Sequence, residues 1–179
     1  DCGMHQGNRD IELRNRDEDG LYRPESLDFI LLTHAHIDHS GLLPRLVAQG
    51  FSGPVYATAP TVDLLGIMLE DSARIQETEA KWRSAKKQRT GAPPVEPLYT
   101  VEDAQQALTQ LKTQEYNQAF EPAEGIRVVY NDAGHILGSA FIELWVREGD
   151  TEQKLVFSGD LGRPNQLLIR DPQTVETAD

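Results

Sequence analysis

The stretch Thr33-His34-Ala35-His36-Ile37-Asp38-His39-Ser40-Gly41 places three of the chain's five histidines and one aspartate within six residues. Imidazole and carboxylate groups are ligands for zinc and for other first-row divalent metals. Backbone geometry decides whether they converge. In an extended chain alternate side chains share one side, so His34, His36 and Asp38 can meet. On a helix, residues two apart point about 200° apart and cannot. His39 faces away in an extended chain, and a turn into a helix brings it back. The competing reading is a solvated polar turn that happens to hold three histidines. It fits poorly with so rare a residue clustered so tightly.

Two later residues complete the chemistry. His135 lies in Ala133-Gly134-His135-Ile136-Leu137-Gly138, between glycines that suit a loop of close backbone approach. Asp160 lies in Phe157-Ser158-Gly159-Asp160-Leu161-Gly162. Taken alone, His135 reads as a hydrogen-bonded structural histidine and Asp160 as a turn aspartate. Beside the first cluster both readings reverse. His34, His36 and His135 then make a three-imidazole site with an open fourth position. Asp38 and His39 begin a second site, and Asp160 can bridge the two. Paired metals about 3.5–4 Å apart bind one hydroxide and a phosphoryl or acyl oxygen.

The elements that must position these residues follow from periodicity. Residues 27–33, LDFILLT, form an apolar run of strand length directly before the histidine cluster. From Ser40, a candidate N-cap, the pairs Leu42/Leu46 and Leu43/Val47 predict a helix ending at Gly50. VYAT at 55–58 is a second strand. A long helix opens at Pro60 and becomes increasingly polar to about Arg89, where GAPP breaks it. Thr100-Val101-Glu102-Asp103 is a capping-box variant that starts a short helix. Strands follow over 126–132, 139–147 and 154–158, with a turn at Gly149-Asp150. Residues 8–26 read as a polar loop. This order predicts an α/β or α+β layered sandwich.

Composition bounds the rest. A chain of 179 residues is one domain by length. No stretch approaches the roughly 20 apolar residues of a membrane span. One cysteine, Cys2, excludes an intramolecular disulfide framework and a cysteine-rich zinc site. The net charge of −12 argues against a general nucleic-acid coat. It leaves room for a carboxylate-rich site whose metals supply positive charge.

The pattern His-x-His-x-Asp-His after a strand, then Gly-His, then Gly-Asp resembles the metallo-β-lactamase superfamily. The wording LTHAHIDHSGLLPRL, AGHILGSA and FSGDLGR is similar to its β-CASP branch of RNA-processing nucleases, as are DCGMHQG and LYTVEDA. The resemblance implies an αββα sandwich. It implies one zinc on His34, His36 and His135, a second on Asp38 and His39, and a bridging Asp160. A bridging hydroxide would attack the scissile phosphorus of RNA, with Asp38 also orienting the attacking water. It also implies strands ahead of Asp1 and a β-CASP domain beyond Asp179, one of whose histidines completes the second site while another assists the leaving group. Residues 1–179 are therefore expected to be an incomplete metal domain, cytoplasmic and weakly active alone. Another hydrolase of the same fold, of thioesterase or lactonase type, is the alternative.

Smaller signals remain. Residues 81–89, KWRSAKKQR, hold five bases and an interleaved Trp82. Lys86, Lys87 and Arg89 are candidate RNA contacts, against the alternative of a solvated helix end whose cations suit the dipole. His5 is a surface histidine or an outer residue at the site mouth, Trp145 is packing, and Cys2 is a buried strand-end residue.

Overall fold

The computed structural model describes residues 1–7, 9–16, 23–87 and 93–179. Two sheets form the centre. The first is parallel, with β1 (Ile30–Leu31), β2 (Val55–Thr58) and β3 (Leu111–Gln114) in the order β1-β2-β3. The second is an antiparallel meander of β4 (Ala119–Ala123), β5 (Ile126–Asp132), β6 (Ala140–Glu148) and β7 (Thr151–Phe157). The helices are α1 (Arg9–Arg14), α2 (Ile37–Ser40), α3 (Leu43–Ala48), α4 (Ala59–Lys87) and α5 (Val101–Leu108).

Alternation along the first sheet builds two cores. Ile30, Leu32, Val55 and Ala57 face the helices, where they pack with Leu43, Leu65, Leu69 and Ala104. Leu31 and Tyr56 face the second sheet and meet Val128, Tyr130, Ala140 and Ile142. The Tyr130 hydroxyl crosses between the sheets and donates to the Tyr56 carbonyl at 2.8 Å. The layers are thus helix, sheet, sheet. Among the described residues the principal helix contacts are with the first sheet and with other helices. The expected fourth layer is not among these residues.

Most predicted elements stand close to where periodicity placed them: β2 matches VYAT, β5 matches 126–132, and α5 starts at a true capping box. There the Asp103 N–H donates to Thr100 Oγ1 at 3.2 Å and the Thr100 N–H donates to Asp103 Oδ2 at 2.8 Å. Four expectations change. The run 27–33 yields only a two-residue ladder, with Ile30 and Leu31 paired to Val55 and Tyr56 at the edge of the sheet. The helix expected from Ser40 is two helices, α2 and α3, and Ser40 is not an N-cap. Its hydroxyl is buried and donates back to the Ala35 and His36 carbonyls, both at 2.9 Å. Part of the loop predicted over 8–26 is helix α1. Strands β3 and β4 had no distinct apolar alternation; β3, LKTQ, is a strand because it pairs along the whole of β2.

Trp145 does pack, but on the outer face of the second sheet. The Arg127 guanidinium lies 3.7 Å from its ring centroid and Lys154 Nζ 5.1 Å, an arrangement in which cations meet the negative face of the ring.

Candidate metal centre

The chain leaves β1, bends at Thr33 and reaches His36, which caps α2 with ψ of 145°. The rings of His34 and His36 end on one side. His34 Nε2 lies 2.9 Å from His36 Nδ1. His135 Nε2, arriving from the loop between β5 and β6, lies 3.3 Å from the same atom. Helix α2 then returns His39 toward these rings. Asp160, from the loop after β7, stands between the two sets. Its Oδ2 is 3.4 Å from His135 Nε2 and 3.9 Å from His34 Nε2, and its Oδ1 is 3.3 Å from His39 Nε2.

Ligand atoms of His34, His36, His135 and Asp160 all lie within 4.8 Å of one another. Asp38 is not in that group. It is exposed in the first turn of α2 and makes no hydrogen bond or ion pair to another described residue. His39 lies outside that group too, beside Asp160, while the helix turns Asp38 toward solvent at the rim.

Close backbone approach makes this convergence possible. The Gly162 N–H donates to the Ala133 carbonyl at 2.8 Å, tying the Asp160 loop to the His135 loop. A Cβ on Gly162 would overlap the Gly134 carbonyl, and one on Gly159 (φ 49°) would lie 2.7 Å from Thr33 Cβ. The His135 loop is held from within. The Ser139 hydroxyl accepts from the His135 and Ile136 N–H groups at 3.0 and 3.1 Å. Thr58 and Thr61 hydroxyls donate to the Gly138 carbonyl at 2.6 and 3.0 Å, which seats the start of α4 against the loop.

Asp1 sets the proton positions, and local sequence did not reveal it. Its carboxylate accepts from the Thr33 N–H at 2.7 Å and from the Thr33 hydroxyl at 2.8 Å. It lies 2.8 Å from His39 Nδ1. A carboxylate only accepts, so His39 carries a proton on Nδ1. Thr33, having donated its proton, accepts from His34 Nδ1 at 3.0 Å. His34 Nε2 is then a lone pair. Thirty-eight residues separate Asp1 from His39, so no spacing rule links them; a carboxylate behind a metal-ligand histidine is the signal to seek.

The donor set fits a divalent cation. Imidazole nitrogens and a carboxylate converge here, with His39 Nε2 3.3 Å from Asp160 Oδ1, and such a nitrogen and oxygen set is one that zinc takes. Tetrahedral zinc, with Zn–N distances of about 2.0–2.1 Å, spaces its nitrogen ligands about 3.3 Å apart, close to the 2.9 and 3.3 Å separations among the imidazoles. Burial, then the neighbouring His39 and His36, pushes His34 down to about 4, against the opposing pull of Asp160. Its ring is neutral near pH 7, the form that binds metal.

A family model described as "Metallo-beta-lactamase superfamily domain" matches residues 1–161. The chain belongs to that superfamily. The metallo-β-lactamase domain is 37% identical over 179 residues to ribonuclease TTHA0252 of Thermus thermophilus, covering all of this chain and 36% of the ribonuclease. It is 37% identical over 146 residues to transcription termination factor FttA of Methanothermobacter thermautotrophicus, covering 81% of this chain and 20% of the factor. It thus spans about a third or less of the length of these curated relatives. Among solved structures, a metallo-β-lactamase of Cronobacter sakazakii aligns over 88% of this chain and 49% of that one, at 16% identity and a TM-score of 0.49.

The basic stretch lies elsewhere. Helix α4 abuts the His135 loop at its first turn and runs 29 residues, so Lys86 and Lys87 sit about 40 Å along it. Lys81 and Arg83 are paired with Glu77 and Glu79 at 3.8 and 3.0 Å, and Lys86 stands 5.5 Å from the Trp82 ring. Arg89 lies outside the described residues. His5 is exposed, and Cys2 is a buried free thiol that burial pushes up to about 12. Among the described residues no helix is long and apolar enough to cross a membrane.

Proposed function

We propose that this domain is the metal half of a hydrolase that cleaves phosphodiester bonds in RNA, in a longer protein of the β-CASP branch. The observation that carries the reading is Asp160 set between the three-imidazole group and His39, with one oxygen 3.4 Å from His135 Nε2 and the other 3.3 Å from His39 Nε2. His34, His36 and His135 hold one zinc ion. His39 and Asp38 serve a second, with Asp160 shared, and a residue from the remainder of the longer protein completes that set. Bound metal supplies an activated water and neutralises charge at the phosphoryl group.

This chain's own residues do the rest. Asp1 fixes the tautomers of His39 and, through Thr33, of His34. Asp38 presents an exposed carboxylate at the rim, where it orients the incoming water. Lys86, Lys87 and Arg89 contact RNA far from the cleaved bond, given the length of α4. The name of one relative, a ribonuclease, supports RNA as substrate, and a cytoplasmic location is part of the same proposal.

The net charge of −12 favours a second reading, a hydrolase of small thioesters or lactones on the same fold. One experiment separates them. The zinc-loaded domain, the complete protein and its Asp38→Ala variant are compared on a labelled single-stranded RNA and on generic thioesters. We expect zinc-dependent RNA cleavage by the complete protein, little by the domain alone, and loss in Asp38→Ala. Lack of the leaving-group acid alone costs roughly 10²–10⁴-fold. A complete protein that ignores RNA and turns over thioesters establishes the second reading.

A further inference from the structure

A cavity of about 360 Å³ lies between the Met4–Gly7 segment, the middle of α4 and the 93–98 segment. It is apart from the metal centre but shares a wall with it. The Cys2 N–H donates to the His39 carbonyl at 2.8 Å, and the Met4 N–H to the Ile37 carbonyl at 2.9 Å. The chain that buttresses the histidine loop therefore continues as the rim of the cavity. Four residues separate His5 from Asp1, a span of at most about 14 Å.

The lining selects for a class of ligand. Met4, Ala80, Val95, Pro97 and Leu98 supply an apolar interior. The charged groups are consumed internally: Arg83 pairs with Glu79 at 3.0 Å, and Arg16 donates to the Glu96 carbonyl at 2.5 Å. Two arginines and two glutamates line the cavity, so the lining carries no net positive charge for a phosphate. The polar side chains left over are the His5 ring and the Gln6 amide, which make no hydrogen bond to another described residue. The rim is rigid, because the Asn15 side-chain amide accepts from the His5 N–H at 2.7 Å and donates to the His5 carbonyl at 2.8 Å. An imidazole face, an amide that both donates and accepts, and apolar walls suit a flat, neutral ring with a polar edge.

We propose that this cavity takes one nucleobase of the RNA strand, a few nucleotides from the cleaved bond, with the base stacked on His5 and its edge hydrogen-bonded to Gln6. The inference rests on the RNA reading above. Stacking on a side-chain ring is tolerant of base identity, and a pinned rim lowers the ordering cost of binding.

The test is an abasic scan. A short single-stranded oligoribonucleotide with phosphorothioate linkages is titrated against the 179-residue domain, and one abasic residue is moved along it. One position is expected to weaken binding about 5- to 100-fold in the wild-type domain. In His5→Ala and in Gln6→Ala, both exposed positions, that dependence on position should shrink or vanish while binding of the fully abasic backbone is unchanged. RNA binding with a flat scan overturns the base site and leaves the RNA reading standing. A uniform loss in the variants, with the positional dependence kept, also overturns it. A domain and complete protein that bind no RNA at all overturn both.

Discussion

At its first turn helix α4 presses Thr61, fully buried, against the Gly138 carbonyl beside His135. At its other end the same helix carries Trp82, 66% exposed, and a ladder of i,i+4 ion pairs in water. The two ends use polar groups under different physics. Beside the His135 loop the Thr58, Thr61 and Ser139 hydroxyls are buried and each has a specific partner, so removing one leaves its partner unsatisfied. At the distal end the Arg83–Glu79 pair is more than half exposed on both sides, so it keeps much of its hydration and is screened. The contrast locates where a single atom matters: in the loops His34–His39, Ala133–Ser139 and Gly159–Gly162, and not along the exposed length of α4.

The largest effect should follow His34→Ala. It removes a buried nitrogen at the centre of the three-imidazole group, and most bound zinc should disappear in elemental analysis. Full zinc occupancy in that variant would abolish the contrast outright. Next comes Asp1→Ala, which frees the His39 ring and the Thr33 hydroxyl that orients His34. Loss of such a partner weakens metal binding about 10- to 100-fold, measured by competition with a chromophoric chelator. An unchanged affinity would mean that the tautomers are set without Asp1.

Neutralising Lys86, Lys87 and Arg89 in the complete protein probes the distal end for RNA. Each side chain among them that neutralises a phosphate should, when replaced, flatten the log–log salt dependence of binding by about 0.7 on single strands, with zinc content unaffected. An unchanged slope returns the stretch to a solvated helix end. Thr61→Val should destabilise the fold by about 0.5–1.5 kcal/mol in urea titration, since Thr58 still donates to the Gly138 carbonyl. Arg83→Ala should change stability by no more than about 0.5 kcal/mol. A cost above that of Thr61→Val would erase the distinction between the two ends.

Legibility followed periodicity. Strands β5 and β6 alternate cleanly because one face meets the first sheet, and Thr100-x-x-Asp103 announces α5 because a capping box is a local structure. Strand β3 could not be seen in LKTQ, since what makes it a strand is the edge of β2, about fifty residues earlier in the chain. Ser40 looked like an N-cap because the residue type is right. Burial against the Ala35 and His36 carbonyls made it a donor instead, and the helix broke in two around Gly41 and Leu42.

The site divides in the same way. Residue type and short spacing determined that His34, His36 and His39 would cluster near Asp38, and that the Gly-flanked His135 and Asp160 were candidates to join them. Those facts are local, because the backbone from β1 into the short helix fixes directions over a few residues. Tertiary structure alone decided that Asp160 lies between two sets of imidazoles, and that Asp1 meets His39 and, through Thr33, orients His34. Each of those depends on chain segments tens of residues apart meeting within about 3 Å. Only the packing of the two sheets, with glycines where the loops touch, brings such atoms together.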